Sequence, residues 1–391
     1  MKRVMMIESR SLYDSLRVFT DKLAEEFGKR GIETVILDLM SAKEKINSTV
    51  EYCAANHIDA VFSFNHIAYN LEIDHKTIAE CMEAPEYVWI VDHPMRHIHR
   101  FMNHSASGTK VKVVTVDEDH SEYANKYMDA ISDARMIELG GIKSDKDIPY
   151  SERTTDVLFT GSYYNPEHTL EELKDVELSD LINTVLHDII DIMKQNPRIS
   201  EEKAFQIYFK ERGWDSLTDK IPSFMQNLII IDTYLRNYRR HECIRTLAES
   251  GIKVNVYGTG WENFDCKAKE NIIIGPPVGY LDSLDIMADS KIVLNMMPEF
   301  KRGTHDRVVC AMCNGAVSLT DPSTYYEAEF IDGEDIVFYD MANLEELPLI
   351  VNNILSDEEK AGSIALNGQK KALLGHTWKN SADELIRMMG L

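Results

Sequence analysis

Residues 295–321 read NMMPEFKRGTHDRVVCAMCNGAVSLTD, and the interpretation of the rest of the chain starts from this stretch. It follows an apolar run, passes a loop that contains Gly303, and continues into a helix-compatible segment near His305. Asn314 and Gly315 end that segment before a second apolar run. The order strand, glycine loop, helix and strand predicts part of an open α/β sheet, whose ligands bind at the carboxyl edge of the strands.

The loop is also basic. Four basic side chains fall within seven residues, namely Lys301, Arg302, His305 and Arg307. A cationic loop at a helix N-terminus suits an anion, most simply a phosphate or a diphosphate. The alternative is a solvated basic loop in which Arg307 pairs with Asp306 or Glu299.

Composition limits the classes of function. A chain of 391 residues, 44% of them hydrophobic, is long enough for two domains with a core each. Its 42 basic residues against 65 acidic ones give a formal net charge of -23, which disfavours nucleic acid and anionic bilayers as partners. No apolar run approaches the roughly 20 residues that span a bilayer, and the polar start MKRVMMIESR lacks the apolar core of a signal peptide. We therefore expect a cytoplasmic protein without a transmembrane segment.

Neither the cysteines nor the histidines indicate a metal site. Cys310 and Cys313 form a C-x-x-C pair inside the expected helix, without a second pair of zinc ligands nearby in the sequence, and we interpret both as small buried residues. The three histidines His97, His99 and His104 do not share a helical face with a carboxylate, and we expect them on the solvated surface.

Residues 1–155 repeat a pattern of apolar strand followed by a polar or glycine residue, which predicts a first Rossmann-like domain. Asp92 and His93 directly follow the strand Tyr87–Val91 and precede a proline that stiffens their loop. Histidine or a desolvated aspartate can deprotonate a hydroxyl acceptor, so both are candidate catalytic residues, as is His66. The alternative is that Asp92 caps the following helix and His93 is a structural residue.

Residues 156–391 predict a second Rossmann-like domain, with a helical insertion at about 170–235. The insertion could be a lid, part of an acceptor site, or an element for packing or dimerisation. Two glycine loops follow strands of this domain, and glycine lets backbone amides approach a ligand because it has no Cβ atom. The loop residues are Gly161, Ser162, Gly258, Thr259 and Gly260.

The segment from about Asp156 to the C-terminus, without the insertion, resembles the GT-B fold glycosyltransferases whose C-terminal domain is of the CgeB-like, glycosyl transferases group 1 type. The residues that carry the resemblance are Asp156–Ser162, Val256–Trp261, Leu294 with Asn295, Gly303–Arg307, Gly315–Thr320, Glu329–Gly333, and His376 with Thr377.

This resemblance implies two facing Rossmann-like domains, with a nucleotide-sugar donor in the C-terminal domain and an acceptor in the N-terminal one. The donor would be a UDP-sugar, no cofactor or metal would be required, and the acceptor could be a protein, a lipid-linked intermediate or a small molecule. Arg307, Asp92 and His93 would be catalytic. The donor would be bound by Gly161, Ser162, Gly258, Thr259, Gly260, Asn295, Arg302, Gly303, Thr304, His305 and Glu327.

The chain departs from the family pattern at one position. The family has Arg, two apolar residues and then a Glu that holds the donor ribose, whereas Arg307 is followed after two valines by Cys310. A thiol cannot accept two hydroxyl hydrogen bonds as a carboxylate does. Glu327 or Glu329 could take that role. The departure also leaves open a protein of this fold that binds a nucleotide-sugar or a protein partner without transferring a sugar.

Overall fold

The computed structural model describes residues 1–73, 75–102, 104, 108–171, 179–297 and 299–391. These residues form two compact units. Unit 1 comprises Met1–Gly140 and His376–Leu391, and unit 2 comprises Gly141–Gly375.

Unit 1 contains a parallel sheet of six strands and a short antiparallel ribbon. Its strands are β1 (Arg3–Glu8), β2 (Glu33–Asp38), β3 (Ala60–Phe64), β4 (Glu72–Ile73), β5 (Lys76–Thr77), β6 (Glu86–Trp89), β7 (Val111–Thr115) and β8 (Ile131–Met136). The sheet order is β2-β1-β3-β6-β7-β8, and β4 pairs with β5. The helices are α1 (Ser15–Lys29), α2 (Lys43–Ala55), α3 (Ile78–Cys81) and α4 (Glu118–Tyr127), with a 3-10 helix at Pro94–Phe101. The apolar centres of β1 and β3 are buried, as expected for parallel strands that are covered on both faces.

Unit 2 contains a second parallel sheet of six strands. They are β9 (Thr155–Thr160), β10 (Val254–Tyr257), β11 (Ile272–Gly275), β12 (Ser290–Asn295), β13 (Val317–Thr320) and β14 (Val337–Phe338). The helices are α5 (Pro166–Glu171), α6 (Asp180–Gln195), α7 (Glu201–Glu211), α8 (Ile221–Asn227), α9 (Ile230–Glu249), α10 (Tyr280–Ala288), α11 (Asp306–Cys313), α12 (Thr324–Glu329), α13 (Leu347–Ser356) and α14 (Glu358–Gly375). The sheet order β11-β10-β9-β12-β13-β14 is the doubly wound order 3-2-1-4-5-6. The predicted pair of Rossmann-like domains is therefore confirmed.

The segment predicted as a helical insertion is helical in its described part. Helices α6, α7 and α8 lie between β9 and the crossover helix α9, and residues 172–178 of the segment lie outside the described residues. Helix α6 buries one apolar face, Val185, Leu186, Ile189, Ile190 and Met193, as its helical spacing predicts.

The last helix, α15 (Trp378–Met389), belongs to unit 1. The Trp378 ring lies 5.2 Å from the ring of Phe19 and 5.9 Å from that of Trp89, measured between centroids. A Cβ atom at Gly140 would lie 2.1 Å from the Trp378 nitrogen, so only glycine fits there. One residue pair beside the helix is also fixed, because His376 Nδ1 lies 2.7 Å from a carboxylate oxygen of Glu138.

The observed division differs from the predicted boundary between residues 155 and 156. Residues 376–391 lie in unit 1, and unit 2 begins at Gly141. The linking segment is tied to unit 2 because Arg153 donates to the carbonyl oxygens of Ser290 and Asn314. The sequence pattern of the last helix predicts an apolar face, but it does not show which of the two sheets covers that face. For this reason the placement of residues 376–391 in unit 1 was not predicted.

Candidate functional site

The carboxyl ends of β9 and β12 lie side by side at the centre of the unit 2 sheet. The chain winds away from β9 in one direction through β10 and β11, and in the other direction through β12, β13 and β14. This reversal of strand order is the topological switch point, where doubly wound proteins bind ligands. Thr160 ends β9 and Asn295 ends β12, so polar side chains stand at this point.

Arg307 binds both of these residues. Its Nε donates to Thr160 Oγ1 at 3.2 Å, and one terminal nitrogen donates to Asn295 Oδ1 at 2.6 Å. The guanidinium carbon lies 4.8 Å from the centroid of the Phe159 ring, within the range of a cation–π contact. A Cβ atom at Gly161 would lie 3.3 Å from the other terminal nitrogen, Nη2. The side chain is thus held across the switch point by two strands and one aromatic ring.

The acceptors that hold Arg307 are neutral. Within the described parts of the chain, no carboxylate lies at ion-pair distance from its guanidinium. Burial lowers the pKa of Arg307, but an arginine with so high an ordinary pKa stays charged. The protein therefore holds a partly buried cation without a direct anionic partner, and a bound anion would supply one.

The two carboxylates that the sequence offered as partners are engaged elsewhere. Glu299 pairs with Arg236. Asp306 accepts from the Tyr280 hydroxyl at 2.8 Å and lies 2.9 Å from His305 Nδ1. Burial opposes ionisation of Asp306, but the neighbouring His305, Arg307 and Tyr280 outweigh it and lower its pKa to about 2. The alternative of a solvated loop with Arg307 paired to Asp306 or Glu299 is therefore wrong.

The remaining loop residues are mostly built into the protein. His305 caps helix α11, because its Nδ1 accepts from the Arg307 backbone N–H at 3.2 Å. The backbone N–H of His305 donates to the Tyr326 hydroxyl at 2.9 Å. Gly303 and Thr304 are buried, and the Gly303 carbonyl oxygen accepts from a serine hydroxyl at 2.7 Å, whereas Arg302 is partly exposed. The backbone N–H groups of His305 and Arg307 are thus already bonded, so an anion here depends mainly on side chains.

The two glycine loops pack against each other at the same edge. A Cβ atom at Gly258 would lie 2.3 Å from the Gly161 carbonyl oxygen, and one at Gly260 would lie 2.1 Å from the Tyr163 carbonyl oxygen. These glycines are needed because two backbones approach closely, in addition to their positive φ angles of 148° and 89°.

Hydroxyl groups line the contact between these loops. Thr259 Oγ1 donates to Ser162 Oγ at 3.1 Å, and Thr259 is exposed. The loops therefore bring two hydroxyl groups together at the carboxyl edge of the sheet.

Arg240 was not predicted. It lies on helix α9, its guanidinium carbon is 5.4 Å from the Phe159 centroid, and one terminal nitrogen donates to the Ser162 carbonyl oxygen. Phe159 therefore has two guanidinium groups near its ring, those of Arg240 and Arg307. The sequence carried no signal for this contact because Arg240 lies inside a long helical stretch, where periodicity assigns a face but not a partner.

Residue 310, where the family has a glutamate, is buried away from solvent. Cys310 is 1% exposed, its sulfur lies 3.4 Å from the Tyr280 hydroxyl oxygen, and burial raises the pKa of its thiol to about 12. Cys313 is also buried, which confirms the interpretation of both cysteines as buried residues. Glu327 lies on helix α12, is 39% exposed and forms an ion pair of 2.5 Å with Arg198.

In unit 1, His93 rather than Asp92 caps the 3-10 helix Pro94–Phe101. His93 Nδ1 accepts from the Met95 backbone N–H at 3.2 Å, and the His93 ring packs against His120 and Tyr123 at centroid distances of 4.5 and 4.7 Å. A neutral imidazole that accepts at Nδ1 carries its proton on Nε2, so this tautomer cannot act as a base through Nε2.

Asp92 is more accessible than His93. The Asp92 side chain is 31% exposed, compared with 9% for His93, and its Oδ2 lies 3.5 Å from His97 Nε2. The expectation that His97 and His104 lie on the solvated surface is wrong, since they are only 6% and 3% exposed. His97 lies in the 3-10 helix Pro94–Phe101, to which the spacing of an α-helix does not apply, and His104 lies beyond the end of that helix.

Comparisons with known proteins support the fold described above. Residues 239–387 match the family model described as glycosyl transferase-like. Similar solved structures include Anabaena Alr3699/HepE in complex with UDP-glucose (9% identity, TM-score 0.56, 99% of both chains). Sucrose-phosphate synthase from Thermosynechococcus elongatus is another (10% identity, TM-score 0.53, 99% of this chain and 98% of that one). The DNA modifying enzyme β-glucosyltransferase is a third (10% identity, TM-score 0.54, all of both chains). No curated protein sequence matches the chain.

At these identities the structural likeness shows the fold, which is that of the GT-B glycosyltransferases. Together with the match of residues 239–387 to the glycosyl transferase-like model, it confirms the predicted resemblance to glycosyltransferases of this fold. The narrower CgeB-like likeness stays a prediction. Within the described residues, every helix is too short or too polar to cross a membrane.

Proposed function

We propose that the chain transfers a sugar from a nucleotide-sugar donor to an acceptor, and that unit 2 binds the donor. The observation that carries this proposal is Arg307, a cation held at the switch point of the sheet by neutral acceptors. The diphosphate of a nucleotide-sugar is the anion that fits both the charge and the fold. HepE was solved with UDP-glucose and the DNA modifying enzyme has uridine diphosphoglucose as its substrate, so a UDP-sugar is the first donor to test.

In this proposal two guanidinium groups compensate the charge of the leaving nucleoside diphosphate. Arg307 and Arg240 both lie beside Phe159, near the Gly161–Ser162 backbone, and Arg302 and His305 lie on the loop before helix α11. Fixed cations in a closed site stabilise charge that develops on a leaving group. The donor diphosphate would then need no metal ion.

The other predicted donor contacts are proposed as follows. Ser162 and Thr259 offer hydroxyl groups, Asn295 orients Arg307, and Gly258 and Gly260 shape the loops. Because Cys310 cannot bind the ribose hydroxyls, the exposed carboxylate of Glu327 takes that role, while Arg198 fixes its position.

For the acceptor we propose unit 1, with Asp92 as the general base. Asp92 is the more accessible of the two residues, and His93 Nδ1 is engaged by the Met95 backbone N–H. A base is required if the sugar is transferred with inversion. Loss of transfer in Asp92→Asn with unchanged donor affinity would support this role. His93→Gln should mainly lower stability, and if it abolished transfer without lowering stability, His93 and not Asp92 would be the base.

The experiment that tests donor binding is a thermal-shift panel with UDP, GDP, ADP, CDP and dTDP. A ligand that binds only the folded protein raises its stability by RT ln(1 + [L]/Kd). We expect one nucleotide, UDP first, to raise the unfolding temperature by the same amount with and without EDTA. No shift with any nucleotide would contradict the donor site, and a shift that requires added Mg²⁺ would contradict metal-free binding.

The buried Cys310 favours one second candidate, a protein that binds the nucleotide-sugar without transferring the sugar. An assay for the release of UDP distinguishes the two candidate functions. It uses the UDP-sugar that stabilises the protein, with and without pools of protein, lipid-linked and small-molecule acceptors. Binding without any release would favour the second candidate. The acceptor and the cytoplasmic location stay predictions.

A further inference from the structure

Three side chains of metal-binding type meet inside unit 1. They are His66, Glu86 and His104, which are 2%, 7% and 3% exposed. His66 follows β3, Glu86 is the first residue of β6, and His104 follows the 3-10 helix Pro94–Phe101. Three separate segments of the chain therefore bring one side chain each to a common point.

The distances between these side chains are those of a ligand set. His66 Nε2 lies 3.2 Å from Glu86 Oε1, His104 Nε2 lies 3.2 Å from Glu86 Oε2, and the two Nε2 atoms are 3.4 Å apart. Bonds of about 2.0–2.1 Å from a tetrahedral zinc ion place neighbouring ligand atoms roughly 3.3–3.4 Å apart. The three separations are close to this spacing but involve both carboxylate oxygens, so a rotation of the Glu86 carboxylate would bring one oxygen and the two Nε2 atoms around a common ion.

The surroundings orient the histidine ligands. His104 Nδ1 lies 2.8 Å from Thr109 Oγ1, the outer contact that commonly fixes the ring of a metal-binding histidine and leaves Nε2 for the metal. Asn65 and His66 both have left-handed φ angles, 51° and 50°, which residues other than glycine rarely adopt. Asn65 is held there by the Val91 N–H, which donates to its side-chain oxygen at 2.9 Å. Such strain is retained where the geometry of a site requires it.

Charge supports the same interpretation. Glu86 is buried between the two imidazoles, and each of its carboxylate oxygens lies 3.2 Å from a histidine nitrogen. A carboxylate buried inside unit 1 needs hydrogen-bond donors or a cation close to it. Two neutral imidazoles and one carboxylate leave a divalent ion with one positive charge and an open position for water.

We propose that His66, Glu86 and His104 bind one divalent zinc ion, a site with two histidines and one glutamate. This donor set suits zinc among the abundant divalent ions, because imidazole nitrogen is a poor ligand for magnesium and calcium. The ion would link the turn after β3 to the segment after the 3-10 helix Pro94–Phe101. That 3-10 helix begins two residues after Asp92. The proposal departs from the prediction of no metal site, and the spacing of residues 66, 86 and 104 is too wide for a sequence motif. It does not depend on the proposed function.

The test uses the full-length protein without an affinity tag of histidines. Metal analysis after dialysis against trace zinc should give about one zinc per chain, and zinc at 100 times its Kd should raise the unfolding temperature of the metal-stripped protein by roughly 3 °C. Cobalt added in place of zinc should produce the visible absorption of a tetrahedral ion. These measurements on the parent protein require no variant to fold.

Variants then assign the ligands. Glu86→Gln keeps the shape of the side chain but removes its charge, and it should lose the bound zinc and the thermal response to zinc. Glu138→Gln is the matched control, because Glu138 also contacts a buried histidine, His376, within unit 1. The control should keep one zinc. Absence of bound zinc or cobalt in the parent, or equal zinc content in Glu86→Gln and the parent, would overturn the proposal.

Discussion

Arg307→Gln should weaken the binding of a nucleoside diphosphate far more than that of the nucleoside. The variant removes a cation that is held by Thr160, Asn295 and Phe159, and among the described residues it leaves no carboxylate without an ion-pair partner. What it removes is the charge that faces the diphosphate. Loss of one member of a close charge pair in a desolvated site costs about 2–5 kcal/mol, which corresponds to roughly 30-fold to 4,000-fold in Kd.

Isothermal titration of the parent and the variant with UDP, UMP and uridine measures this effect. The loss should grow with the number of phosphates, and uridine should bind both proteins equally. Arg245→Gln is the matched control, since Arg245 lies on helix α9 of the same unit and pairs with Glu242 and Glu249. An equal loss for uridine and UDP, or a loss below about threefold for UDP, would refute the assignment of Arg307 to the diphosphate.

Three further predictions test the fold around the site. Gly258→Ala forces a Cβ atom to 2.3 Å from a carbonyl oxygen. It should destabilise the protein by roughly 1–3 kcal/mol. Gly28→Ala in helix α1 should not destabilise it, because the space around Gly28 is open. Equal midpoints of chemical denaturation for the two variants would contradict this prediction. Trp378→Ala should cost about 3–5 kcal/mol and speed amide exchange in unit 1 but not in unit 2; equal acceleration in both units would argue against the division. Iodoacetamide at pH 8 should label the partly exposed Cys266 but not Cys310, whose pKa is raised to about 12 by burial; equally fast labelling of both would show that Cys310 is accessible.

The local part of the fold could be predicted from the sequence. Residues 295–321 form strand, loop, helix and strand as their pattern indicates, because apolar runs and the Asn314–Gly315 break are local signals. The location of Arg307 at the carboxyl edge followed from the same pattern, since parallel strands end at a common edge.

Contacts between distant segments could not be predicted. Arg240 reaches the Ser162 carbonyl oxygen from 78 residues away, and Glu299 takes Arg236 instead of the neighbouring Arg307. His104 lies beyond the 3-10 helix Pro94–Phe101 and is buried against His66 and Glu86, contacts that its spacing in the sequence did not predict. In each case the deciding interaction is tertiary, and a single sequence carries no periodic signal for it.

The central claim is that the switch point of unit 2 binds the diphosphate of a nucleotide-sugar. Crystals of the protein soaked with UDP test it most directly, through the electron density beside Arg307. The account predicts a phosphate oxygen at about 2.7–2.9 Å from a guanidinium nitrogen of Arg307, the usual length of such a charged hydrogen bond, with the second phosphate near Arg240. Well-defined UDP density at any other location, with the Arg307 region empty, would contradict it.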